Sequence, residues 1–135
     1  MRRMLILCVA ILAGSVSLQA WAQSNTFRIV GTWRCDKVVV HTQDEGYAEG
    51  SLIMFVDRHK GHSFEAGFKA EGSDASSAFR RASGMISEDG KRLYLVNKDT
   101  IFCGDVVDKD TIALYALKKG SYAKAAYALL TRSGG

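Results

Sequence analysis

Nine residues, Ser63 to Glu71, alternate without a break: Phe64, Ala66, Phe68 and Ala70 share one parity, and Glu65, Gly67, Lys69 and Glu71 share the other. Side chains of a strand point alternately to the two sides of a sheet, so this run predicts an antiparallel strand with one face in a core and one toward solvent. Comparable runs recur roughly every 8 to 15 residues with turn formers between them, the cadence of an all-β barrel or sandwich. The expected strands are Gly31–His41, Ser51–Asp57, Ser63–Glu71, Ala78–Ser87, Arg92–Asn97, Thr100–Val107 and Thr111–Leu117. The chain contains no proline. Its ladders therefore keep every backbone donor, and turns fall to Gly, Asp, Asn and Ser. Asp89-Gly90 is the strongest hairpin signal. Thr42–Gly50, polar and acidic, reads as a loop; Arg58–His62 reads as a charged hairpin turn; Gly72–Ser77 reads as a flexible loop.

Tyr122–Arg132 supports two readings. As a helix it places Tyr122, Ala125, Ala126, Leu129 and Leu130 on one stripe. As a strand it pairs with Thr111–Leu117, completes a set of eight and leaves no open sheet edge. The second reading is preferred. The expected fold is all-β, about eight antiparallel strands in a small up-and-down barrel.

The N-terminus carries an export signal. Met1-Arg2-Arg3-Met4 is basic, Leu5–Val16 is apolar, and Ala20-Trp21-Ala22 offers small residues where a signal peptidase reads them. The apolar run falls short of the ~20 residues that a bilayer span requires. Residues 1–22 are thus expected to be a removable signal peptide and 23–135 a single domain, periplasmic or extracellular, with no membrane span after cleavage. Losing Arg2 and Arg3 reduces the 18 Lys+Arg to 16 against 14 Asp+Glu, a net charge of +2. That balance makes no case for nucleic acid.

Cys35 and Cys103 remain after cleavage. In an oxidising compartment a small domain with two cysteines is expected to pair them. A link of this span contributes roughly 4 kcal/mol on chain-entropy grounds. No C-x-x-C occurs and no histidine accompanies either cysteine at ligand spacing, which weakens a redox or metal role.

Gly31-Thr32-Trp33 opens the first strand, and Arg132 stands near the end of the last. With the strand count, these residues resemble the calycin group, which contains lipocalins, fatty-acid-binding proteins and avidins. The resemblance implies that Trp33 plugs the closed end of a barrel and that Arg132 covers it, a cation–π contact of order 1 kcal/mol. In that group these residues serve the fold. The chain departs from the group where Asp108-Lys109-Asp110-Thr111 stands in place of a Thr-Asp-Tyr turn, and it has no room for the helix pair of fatty-acid-binding proteins. Trp33 and Cys35 share a parity, so Cys35 is expected to reach inward, toward Cys103.

No catalytic motif can be assembled, and no metal site or cofactor is expected. His59 and His62 have Arg58 and Lys60 beside them, which opposes a divalent cation. Asp44, Glu45 and Glu49 lack the ligand spacing of a calcium loop. Phe64, Phe68, Tyr94, Tyr115 and Tyr127 are the candidate lining of a barrel interior, where they either surround a small apolar ligand or fill the core. The sequence therefore points to an exported, non-enzymatic barrel binding a small apolar ligand. The alternative is a protein-binding module, such as a hydrolase inhibitor, that presents Thr42–Gly50 or Gly72–Ser77 to a protein partner.

Overall fold

Eight strands follow one another along the chain: β1 (Gly31–Thr42), β2 (Gly46–Lys60), β3 (Ser63–Glu71), β4 (Arg80–Ile86), β5 (Arg92–Val96), β6 (Thr100–Asp108), β7 (Thr111–Lys118) and β8 (Lys124–Arg132). Each pairs antiparallel with its neighbour in sequence, and β8 returns to β1 to close a barrel. The computed structural model describes residues 27–71, 79–121 and 123–134. The expected signal peptide, the loop Gly72–Ser77 and Tyr122 lie outside the described residues. The ambiguous last segment is a strand from Lys124 onward. Its Ala126 pairs with Ala116 of β7 on one side and with Val40 of β1 on the other.

Two expected loops are corrected to ladder. Of Thr42–Gly50, residues 43–45 alone form the turn. Gly46 adopts a positive φ of 77°, which lets β2 start at once, and Tyr47 and Ala48 pair with His41 and Val40. Asp44 and Glu45 lie in that turn, while Glu49 stands on the solvated side of the hairpin, where Lys37 lies 2.9 Å from it. Likewise β2 runs on to Lys60, and the turn contracts to Gly61-His62, with Gly61 at φ 60°.

Alternation sets what the barrel encloses. Trp33 and Cys35 face inward, an irregularity after Cys35 turns Asp36 and Lys37 outward, and Val38 resumes the inward face. An extra residue in one strand is what shifts parity in this way. Phe64, Ala66 and Phe68 of β3 are buried as the alternation predicts, with Glu65 and Lys69 exposed and Ala70 exposed at the rim. Leu93 and Leu95, Ile112 and Leu114, and Ala128 and Leu130 supply the other walls.

The expected disulfide is not formed. Both cysteines are free, Cys35 buried and Cys103 exposed. Phe102 and Gly104 take the inward positions of β6, so Cys103 between them faces outward. β6 also neighbours β5 and β7, not β1. The two sulfurs stand on opposite sides of the barrel wall, and no local adjustment joins them. The inward half of the expectation holds for Cys35; its convergence on Cys103 does not.

Candidate functional site

At the closed end the arginine-on-tryptophan arrangement is present. The Trp33 indole is fully buried and donates from Nε1 to the Ile29 carbonyl at 2.8 Å. The Arg132 guanidinium carbon lies 4.2 Å from the indole ring centre. Its nitrogens donate to Asp110 Oδ1 at 3.1 Å, Val30 O at 2.9 Å and Lys109 O at 3.2 Å, and also to Arg28 O. One side chain thus joins the entry segment, the β6–β7 turn and β8. Gly31 is where this closeness demands glycine: its φ is 142°, and a Cβ there would lie 2.9 Å from Arg132 Nη1. Phe27 adds a ring 5.7 Å from Trp33. The closed end is a fastening.

The middle of the barrel is occupied by side chains. Phe68 of β3 and Phe102 of β6 stack across it with ring centres 4.7 Å apart and planes 7° from parallel. The Phe64 ring lies on Gly84, where a Cβ would come within 2.4 Å of it. A small inward residue is thus the complement of the large one paired with it on the neighbouring strand.

The five aromatics expected to line the interior divide between the two faces. Phe64 and Phe68 point inward and are buried. Tyr94, Tyr115 and Tyr127 point outward, 48%, 46% and 40% exposed. The strands that carry them explain why: Leu93 and Leu95 flank Tyr94, Leu114 precedes Tyr115, and Ala128 follows Tyr127, each on the inward parity. In register, Met85, Tyr94, Cys103, Tyr115, Tyr127 and Val39 succeed one another across six strands of the outer wall. Beside that row run Val96, Ile101, Leu117, Ala125 and His41. The chain therefore displays an apolar and aromatic belt outside its barrel.

One part of this wall is concave. A groove of about 930 Å³ lies between the β2–β3 hairpin and strands β4 to β6. It is lined by the outward-facing Met85, Tyr94, Val96 and Ile101, by the inward-facing Phe64 and Leu95, and by the charged Asp57, Arg58, Lys60 and Glu65. His59 also lines it, but from the inward row, in register with Phe64, and its buried Nε2 has no hydrogen-bond partner. Arg92 hydrogen-bonds the Tyr94 hydroxyl and lies 3.7 Å from Asp105; the hydroxyl first and the carboxylate second hold the guanidinium more firmly protonated. A second concavity of about 1070 Å³ surrounds the Arg132 fastening, from Phe27 and Thr32 to Asp110.

Sequence reasoning missed Met85, Val96, Ile101 and His59 as site residues. Strict parity within Arg92–Val96 would have put Tyr94 and Val96 outside once Leu93 and Leu95 were assigned inside. Among the described residues, no group of three or more His, Cys, Asp or Glu is arranged to hold a metal ion, and no helix is long and apolar enough to cross a membrane.

No protein-family model matches the chain. No curated protein matches it in sequence. Among solved structures it is similar to the S-type phycobiliprotein lyase CPES from Guillardia theta, with a TM-score of 0.53 at 9% sequence identity, covering 79% of this chain and 89% of that one. At so low an identity the likeness shows a shared fold and carries over no site residue.

Proposed function

We propose that this protein is an exported, non-enzymatic barrel that binds a small, largely apolar ligand bearing one hydrogen-bonding group, and that the ligand seats in the outer-wall groove. The observation that carries this reading is the apolar lining of that concavity, which extends from the outer wall to the inward-facing His59 and its unsatisfied Nε2. A buried polar atom without a partner is costly, and a hydroxyl or carboxylate from a ligand would satisfy it. The groove's size is at the upper end of what small-molecule sites commonly show. The middle of the barrel competes poorly as a seat because Phe68 and Phe102 stack across it. Export rests on the N-terminal signal, and the non-enzymatic reading on the sequence, in which no catalytic motif can be assembled. A barrel of this fold serves as a phycobiliprotein lyase elsewhere.

The test uses 1-anilinonaphthalene-8-sulfonate on the protein purified from cells expressing the full chain. Saturable binding is expected, with Val96→Glu weakening it about tenfold, because a carboxylate on the floor must be desolvated beside the bound ring. Binding that ignores Val96→Glu would place the ligand elsewhere. A second reading, a protein-binding module, is favoured by the rest of the belt, which the groove does not use.

A further inference from the structure

The belt continues past the groove over β6, β7, β8 and β1. There Cys103, Tyr115, Leu117, Tyr127, Leu129 and Val39 all face outward, and none of them lines the groove. The Tyr115 and Tyr127 rings touch, 5.1 Å between centres. We propose that this face is where a second copy of the chain docks, in an isologous dimer with the tyrosine pair near its twofold axis.

Three observations favour a second copy over other occupants. The first is area. With a bare tyrosine presenting about 200 Å² and the leucines, valine and cysteine less, six that are roughly half exposed offer on the order of 500 Å². A stable interface needs about 800 Å² on each partner, of which the rim supplies a part. The second is charge. A twofold contact sets each residue near its axis against a copy of itself, so a charged centre would repel. None of these six residues carries a charge, and Ala125 and His41, which complete the adjoining row, add no carboxylate or ammonium. Charges begin at the margin, where Arg92 and Asp105 bring both signs together. The third is composition: tyrosine is the residue type that interfaces concentrate at their centres. A monomer seldom leaves so large a contiguous apolar patch bare, and here the groove and this face together extend it across six strands.

Sedimentation equilibrium of the protein purified from cells expressing the full chain, over a dilution series through the micromolar range and under reducing conditions, should show twice the monomer mass. Tyr115→Lys with Tyr127→Lys should raise the dimer dissociation constant about a hundredfold, because two central contacts are lost and like charges oppose. Both side chains are exposed, so circular dichroism and the melting temperature at high dilution should match the unmodified protein. As an independent readout, a short bismaleimide should join Cys103 of two copies in the unmodified protein and fail to do so in the lysine variant. A monomer at every concentration would overturn the proposal, as would a dimer that survives the two lysines. Flotation of a monomer with phosphatidylcholine vesicles would overturn it too, by assigning the face to lipid. None of these outcomes touches Val96 or the groove, so failure here and failure of the ligand reading remain separate.

Discussion

Arg132 concentrates more of the structure than any other single side chain described. It stacks on Trp33, holds Asp110 and caps three backbone carbonyls from two separate segments. Arg132→Met keeps the length and some packing but leaves those carbonyls and the Asp110 carboxylate unsatisfied. The expected cost is about 3 kcal/mol, the sum of a lost cation–π contact and charge-assisted hydrogen bonds. Urea unfolding followed by Trp33 emission measures it, and a loss below about 0.5 kcal/mol would mean the clamp is ornamental. Gly84→Ala tests the interior in the same way. Its new methyl would meet the Phe64 ring at 2.4 Å, and overpacking of that kind costs about 1 to 3 kcal/mol. The Gly84→Ala, Phe64→Leu double variant should recover part of the loss, since the smaller side chain withdraws from the contact. Gly31, Trp33 and Arg132 were legible in the sequence as a set, because the motif names its own partners. The Gly84–Phe64 fit was not: a pattern of apolar residues does not say which glycine faces which ring.

At the scale of elements, parity decided most of what could be read. The alternation in Ser63–Glu71 was legible residue by residue, and the strands near Leu93 and Leu114 carry the same signal. Assigning the tyrosines to the interior went against that signal, on the premise that aromatics belong inside. The turns were harder, because short polar runs look alike whether they form loops or the solvated side of a hairpin. The β5–β6 turn is built from its own side chains: Asn97 Oδ1 accepts from the backbone N–H groups of Asp99 and Thr100, while Asp99 Oδ1 accepts from the Thr100 hydroxyl at 2.9 Å. That hydroxyl first, and the Lys118 ammonium after it, hold the Asp99 carboxyl below its ordinary range. In the β4–β5 turn the Ser87 hydroxyl, followed by the Lys91 N–H, does the same to Asp89. Both carboxylates bind protons less readily folded than unfolded, so their contribution is complete above about pH 4 and lost as pH falls through their lowered values. Amide shifts of Lys91 and Thr100 should therefore titrate together with these carboxylates on acidification. Asp89→Asn should remove the Lys91 transition and leave that of Thr100; retention of both would detach the turns from their carboxylates.

The whole molecule depends on closure. β8 supplies pairing to β7 and β1 at once and carries Arg132 at its end, so no edge is left and the last strand locks the first. This design does without the covalent link that the cysteine count suggested. The sequence made that link plausible through an expected compartment and a count, neither of which says anything of side-chain direction. Parity around Cys103 carries the missing information: with Phe102 and Gly104 inward, the thiol between them is outside. A cross-link over this span would constrain the unfolded chain and contribute roughly 4 kcal/mol, equivalent to many degrees in melting temperature for a domain of this size. Adding dithiothreitol should therefore leave the melting temperature of the diluted protein unchanged, and both thiols should react with iodoacetamide after unfolding without prior reduction. A reductant-induced drop of several degrees at high dilution would show that the two sulfurs do meet. It would also require β6 to turn its faces over, taking Cys103 out of the belt and Phe102 out of the core.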